Sequence, residues 1–390
     1  MFEGISGQDA EGFLRYLSDL YHRFNIARDH FLQRPFRNRK DFYNPFIISQ
    51  GLKLRTLNNA ENLMKKYIKD KRMRQMISFQ TLYIGISPNK GPSLYTIIPM
   101  IEFLYGIWFI KGGMRTMASA MERLFLELGG KIEYDTSVDR IVIEEGKATG
   151  VSAGQKTIGS DFVMCNADFP YAMKNLVKEP GHKGKYKDEK IDKMEYSCSC
   201  FVLYLGMDRK YPEIDTVHNF IFSEKLDANI NQIFDGSVIE DPSLYMYMAS
   251  KIDPTLAPEG KDGIYVLMPL SDIKTMKYQW TAETSKMYRD KIIGKIRELP
   301  GMEDIENEIV TETMVSPLDF EQQFNANNGA TFGLKPTLTQ SVHLRPQSKA
   351  THCDNLYFTG SSTHPGAGVP IVLLSSKIAV GELLKDENHR

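Results

Sequence analysis

NLYFTGSSTHPGAGVPIVLLSSKIA, residues 355–379, is the stretch from which the fold is read. Leu356, Tyr357 and Phe358 form a short apolar run between polar Asn355 and Gly360, the pattern of a buried strand. From Gly360 to Gly368 the connection holds three glycines and Pro365, so the backbone can approach a ligand with no Cβ in the way. Val369 then opens a helix with Pro370 in its first turn, where a missing N–H costs nothing. Ile371, Leu374, Ile378 and Leu383 or Leu384 continue at helical spacing. Strand, glycine turn and helix start bring free N–H groups and a positive dipole end to one point. Such a point suits a pyrophosphate, or the electron-rich edge of a reduced flavin. On this pattern alone, an ordinary strand-to-helix turn of an α/β protein remains the alternative.

Bulk composition narrows the classes. At 390 residues the chain exceeds one typical core, so two interleaved domains are expected. Lys and Arg number 48 against 49 acidic residues, and a net charge of −1 gives no field that would recruit nucleic acid. The four cysteines, Cys165, Cys198, Cys200 and Cys353, form no C-x-x-C pair, and the eight histidines show no H-x-x-x-H spacing. No metal site and a reducing, cytoplasmic setting are expected. No basic stretch followed by an apolar core opens the chain, so no secretory signal is read there.

Along the chain, Phe13, Leu17, Leu20, Phe24, Ala27 and Phe31 recur at helical spacing, and a second helix is expected over 58–77. SLYTIIPMIEFLYGIWFI (93–110) is 18 residues long with Glu102 as its single charge. Its proline, glycine and carboxylate argue against a membrane span and for a segment that lines a lipophilic cavity or dips into the interface. Lys111-Gly112-Gly113 leads to a helix whose Met114, Met117, Met121, Leu124, Phe125 and Leu128 share a face. A β-meander follows, with Val138, Ile141 and Ile143 before the Gly146–Lys147 turn and a further strand at 162–165. Residues 196–206, 217–223, 244–250 and 263–269 read as strands of a second, antiparallel sheet, and 178–193 as a surface loop.

G-S-S-T-H-P-G-A-G-V-P closely resembles the C-terminal flavin-contact motif of the carotenoid (phytoene-type) desaturases. FQTLYIGISPNKGPSLYTIIPMIE (79–102), GIWFIKGGM (106–114), VDRIVIEEGKATGV (138–151) and VMCNADFP (163–170) match the same family in the same order. DFYN (41–44), GLKLRTLNNAENL (51–63) and MEYSCSCF (194–201) are similar to its C30 branch, which acts on dehydrosqualene (4,4'-diapophytoene). The resemblance implies an α/β (α+β) fold of the FAD/NAD(P)-binding, amine-oxidase-like kind. Flavin-domain parts would be 111–170 and 336–390, and substrate-domain parts 1–110 and 171–335. That family opens with a βαβ unit carrying G-x-G-x-x-G, which holds the ADP half of FAD. No G-x-G-x-x-G occurs here. The expectation is therefore an incomplete flavin domain in a truncated chain, with exposed edges and apolar surface.

The resemblance further implies FAD-dependent desaturation of dehydrosqualene toward 4,4'-diaponeurosporene. A lipophilic C30 polyene would be the substrate, a membrane surface its source, and oxygen or a quinone the electron acceptor. Gly112, Gly113, Met114, Gly360, Gly366, Gly368, Val369 and Pro370 would contact the flavin, and the backbone of Val138 its adenine. Glu102 would stabilise a cation or take a proton; a structural partner for a buried arginine is the competing reading. Arg345 and His364 also fall in flavin-proximal motifs. A carotenoid end-group oxygenase on the same fold and an inactive remnant are the alternatives.

Overall fold

The computed structural model describes residues 4, 6–56, 58–78, 87 and 91–388. The expected family motif at 79–102 therefore lies partly outside the described residues. Helix α1 (Gly7–Ala27) starts at Ser6, whose hydroxyl accepts from the Asp9 amide at 3.2 Å. Its expected stripe is buried at Phe13, Leu17 and Leu20, and Phe31 is buried one turn beyond, in a π-helical continuation. The stripe packs on α2 (Ala60–Met64) and α3 (Lys71–Ser78) through Leu63, Met64, Met73 and Ile77.

The single helix expected over 58–77 is thus two. Asp70 supplies the reason: its carboxylate accepts the amides of Arg72 and Met73 at 2.8 and 3.1 Å. Buried Asp9 takes the amides of Lys69 and Asp70 from the other side, each at 2.8 Å. Side chains that bond backbone locally compete with the helix ladder and break it.

Segment 93–110 is a 3-10 turn followed by α4 (Ile97–Tyr105), which ends at Gly106 with φ of 77°. Pro99 and Met100 are buried, whereas Phe103, Leu104, Tyr105, Ile107 and Trp108 are exposed. Only the first half of this segment lines a core. No described helix is long and apolar enough to cross a membrane.

After Gly113 comes α5 (Met114–Glu127), then an antiparallel meander of β1 (Arg140–Glu144), β2 (Lys147–Ala153) and β3 (Lys156–Gly159). The further strand, β4 (Val163–Cys165), leaves that sheet. It pairs in parallel with β10 (Leu356–Phe358), Leu356 opposite Val163 and Phe358 opposite Cys165. Both strands sit in one core with Ile141, Phe169, Tyr186 and Ile191. Residues 178–193 are accordingly more than a surface loop, since Tyr186 and Ile191 plug this core and Lys183 is buried.

The second sheet has the order β6-β7-β8-β5-β9, all antiparallel. Its strands are β5 (Ser199–Met207), β6 (His218–Ile221), β7 (Leu244–Tyr247), β8 (Asp262–Leu270) and β9 (Ile309–Val315). Strand β9 was not anticipated. Alternation sends Phe201, Leu203 and Leu205 of β5 and Ile264, Val266 and Met268 of β8 into a core closed by α6 (Ala282–Ile296). The chain ends in α7 (Val369–Glu387), with Pro370 in its first turn as expected.

Candidate flavin site

Strand β10 delivers its chain to the glycine turn. The Thr359 amide donates to Cys165 O at 3.0 Å, extending the parallel pairing by one step. At Gly360, φ is 123° and a Cβ would come within 3.2 Å of the Asn166 amide nitrogen. Ser375 of α7 accepts the Gly360 N–H at 3.0 Å and bonds the Thr359 hydroxyl at 2.6 Å. Strand end and helix are thereby fixed to each other.

Arg345 holds the middle of the turn. Its guanidinium is fully buried and donates to four carbonyls: Thr363 at 3.1 Å, Ser361 at 2.6 Å, Gln340 at 3.1 Å and Leu334 at 2.9 Å. Burial pulls its pKa down to about 10, which leaves it charged at neutral pH. Asp168, half-buried, accepts from the Ser362 hydroxyl and from the Asn327 amide. Burial pushes the Asp168 carboxyl upward against those hydrogen bonds. Gly333 lies so close that a Cβ there would fall 2.2 Å from the Ser362 hydroxyl. His364 is buried, its Nε2 bonded to Arg34 O at 3.0 Å and its ring edge-on to Phe36, and burial lowers its pKa to about 4. Arg345 and His364 are therefore supports of the turn.

Past the supports the backbone opens. Gly366 and Gly368 have φ of 146° and 103°, and a Cβ on either would meet nothing within 4 Å. Gly368 starts α7 with no side chain capping the helix. An open, glycine-lined space at an uncapped helix N-terminus has the donor set for an electron-rich flavin edge. Gly360, Gly366, Gly368, Val369 and Pro370 share this one turn, and Val369 is half exposed beside it.

The other expected contacts are held elsewhere. Gly112 and Gly113 have φ of 81° and 79°, and the Gly112 amide donates to Asp253 Oδ2 at 2.7 Å. That bond, with backbone and hydroxyl of Thr255, holds the Asp253 carboxyl below its usual range. The Gly112 turn is thus tied to the loop between β7 and β8, and Met114 is exposed at the start of α5. Val138 is half-buried at the rim of the β4/β10 core. Glu102 is half-buried on α4, and its charge reaches Tyr245 of β7. Asp168, Asp253 and Gly333 escaped the sequence reading. Asp168 stood inside the quoted VMCNADFP motif, but its role, like those of Asp253 and Gly333, is defined by what crosses from distant chain.

The profile of the flavin containing amine oxidoreductase family matches residues 7–384. The chain is 43% identical over 390 residues to the 4,4'-diapophytoene desaturase (4,4'-diaponeurosporene-forming) of Staphylococcus haemolyticus, covering 99% of this chain and 78% of that protein. The enzyme of the same description from Staphylococcus aureus strain Newman gives the same identity and coverage. Cyclohexylamine oxidase from Brevibacterium oxydans superposes with a TM-score of 0.53 at 12% identity, over 96% of this chain and 75% of that one. That last likeness shows the fold, an amine-oxidase-like flavin-binding architecture. Sequence and fold together make the chain an oxidoreductase of the flavin containing amine oxidoreductase family, on its carotenoid desaturase branch.

Proposed function

We propose that this chain is a FAD-dependent desaturase that converts dehydrosqualene toward 4,4'-diaponeurosporene. The observation that carries the reading is 43% identity across nearly the whole chain to enzymes of that description. The open glycine turn at the start of α7 supports it with a place for the flavin. Residues 111–170 and 336–390 form the flavin-side domain in this reading, and 1–110 with 171–335 the substrate side. In this reading Gly360, Gly366, Gly368, Val369 and Pro370 contact the flavin ring, Gly112, Gly113 and Met114 lie near it as well, and the backbone of Val138 meets the adenine.

When bound, the flavin supplies the oxidant, accepting hydride from a carbon beside the conjugated system. The protein's own tasks are alignment, exclusion of water and placement of a proton acceptor. Arg345 and Asp168 keep the turn in one shape, and Asp253 does so for Gly112. Glu102 sits on an apolar helix near Tyr245, where it can take the proton that leaves the neighbouring carbon. Phe103, Leu104, Ile107 and Trp108, the last 87% exposed, form an apolar patch suited to peripheral attachment to the bilayer that holds the substrate. The electron acceptor in this reading would be oxygen or a quinone.

The test begins with the visible spectrum of the purified chain with and without FAD. Dehydrosqualene in liposomes follows, with products separated by chromatography. A flavin spectrum and longer-wavelength polyenes are expected. Aldehydes formed from 4,4'-diaponeurosporene without any desaturation would assign end-group oxygenation instead. Glu102→Gln should cut turnover about tenfold, a loss of ~1.4 kcal/mol in barrier terms, with flavin content unchanged. Unchanged turnover would remove Glu102 from the chemistry.

A further inference from the structure

One face of the five-stranded sheet is closed by α6; the other carries a row of aromatic rings. Phe220 of β6 stands opposite Tyr245 of β7, with ring centroids 5.2 Å apart. Tyr245 is 6.2 Å from Tyr265 of β8, and Tyr265 is 5.2 Å from its direct partner Tyr204 of β5. Tyr247 faces Tyr265 across the same pair of strands. Four successive strands thus each place a ring on the face away from the core. Tyr245, Tyr247 and Tyr265 are partly open, and Tyr204 is 49% exposed.

Two relations give the row a direction. Tyr245, one strand in from its Phe220 end, lies within electrostatic reach of Glu102. Both glycine turns adjoin the same sheet at different points. Gly112 is tied to Asp253 just beyond β7, and Gly333, packed on Ser362, accepts the Ser197 amide just ahead of β5 at 2.9 Å. Tyr245, Tyr265 and Tyr204 of the row lie on the strands between those two anchors. Cross-strand aromatic pairs also stabilise sheets in general, but such pairing does not call for a carboxylate beside it.

We propose that this aromatic row is the wall along which the conjugated chain of the substrate lies, and that its ring faces stabilise the allylic cation formed there; the inference rests on the desaturase reading. The step balances as follows. One C–H bond breaks with both electrons, leaving as hydride, for which the bound flavin would be the two-electron acceptor. The carbon left behind shares its positive charge with the adjacent double bonds. The neighbouring carbon then releases a proton to the Glu102 carboxylate, and the two carbons become a new C=C. A delocalised cation is attracted by the negative face of each ring turned toward it; Tyr265 meets Tyr245 and Tyr204 edge-to-face, at 69° and 64°, so the three do not all turn a face to the same side. Burial raises the pKa of Tyr245 and of Tyr265, so both phenols stay neutral and contribute only their rings. Tyr245 OH is bonded to His218 Nδ1 at 2.7 Å, which fixes that ring's attitude.

The test separates ring from volume. Tyr265→Phe keeps the π face and Tyr265→Leu removes it. Each protein is titrated calorimetrically with dodecyltrimethylammonium, a lipophilic cation, and with dodecanol, its neutral counterpart, both below micelle formation. The wild type and Tyr265→Phe should prefer the cation, and Tyr265→Leu should lose about 3- to 10-fold of that preference, the range a partly desolvated cation–π contact supports. Glu102 is intact in all three, so its charge cancels. Should Tyr265→Leu fail to fold by circular dichroism, Tyr204→Leu at the more exposed end gives the same comparison. In flavin-loaded protein the leucine variant should lose about tenfold in kcat, and the phenylalanine variant should not. An undiminished cation preference in the leucine variant overturns the inference. Absence of desaturation in the wild type overturns the desaturase reading instead, and the ammonium titration still decides whether the wall binds cations.

Discussion

Helices α5 and α6 are nearly the same length, 14 and 15 residues, and each carries apolar residues at helical spacing, yet they have opposite fates. On α6, Tyr288, Ile292, Ile293 and Ile296 are buried to 2% exposure or less beneath the five-stranded sheet. On α5 no residue is buried, and Met121, Leu124 and Phe125 are each about half exposed. An apolar stripe states which face seeks burial; whether it is buried depends on a second layer being there. The sheet side of this molecule has both layers. The side of the glycine turn has, among the described residues, a parallel pair of two strands, β4 and β10, an architecture normally covered on both faces. On that side, polar clamps take a larger share of the work.

The largest effect should therefore come from a clamp. Arg345→Met leaves four buried carbonyls without their donor, and the expected loss is on the order of 4 kcal/mol, since each orphaned group costs ~1–3 and the losses overlap. Arg345→Lys should recover less than half of it, because an ammonium lacks the planar fork that reaches several acceptors at once. Urea unfolding measures both, and FAD affinity should fall in parallel. A methionine variant as stable as the parent would show that the turn keeps its shape without the guanidinium.

The contrast between the helices can be broken directly. Ile292→Ala should cost about 3 kcal/mol, as cavity formation in a packed core does. Leu124→Ala, of similar volume change on α5, should stay within about 0.5 kcal/mol. Denaturant midpoints at matched m-values give both numbers. A large loss at Leu124 would mean that the α5 stripe is covered in solution.

Much of this architecture was legible in the residues. Apolar alternation marked four of the five strands of the large sheet, and Gly360 to Pro370 announced strand, turn and helix in order. Strand β9 was missed because IVTETMV alternates too weakly: as an edge strand it buries no residue fully. The break between α2 and α3 was missed because the apolar spacing runs through Asp70, and the second carboxylate that fixes it, Asp9, lies some sixty residues away. Pairing of β4 with β10 spans almost two hundred residues, and local pattern carries no register for it. At the site, the open glycines could be read from sequence. Arg345 was placed near the flavin by its motif, but what it does was not legible, because it works through carbonyls, and Asp253 reaches Gly112 through one amide, and neither kind of partner has a sequence signature.

The smallest effect sharpens the same contrast, because it asks how tightly the turn is shut. Buried His364 has its pKa lowered to about 4 from an ordinary 6.5. Between those values the unfolded chain binds a proton that the folded chain refuses, so stability falls as pH falls through that window and levels off below it. From pH 7 to pH 5.5 the loss assigned to this one side chain is about 1 kcal/mol. Asp168 works with the opposite sign: its raised pKa makes the folded state hold a proton that the unfolded state gives up, which favours the fold as pH drops. The two must be separated by difference. Urea midpoints at both pH values, in the parent and in His364→Gln, should show the acid loss reduced by that amount in the variant. Equal acid losses in the two proteins would mean that the imidazole is reached by water and the turn is looser than its hydrogen bonds suggest.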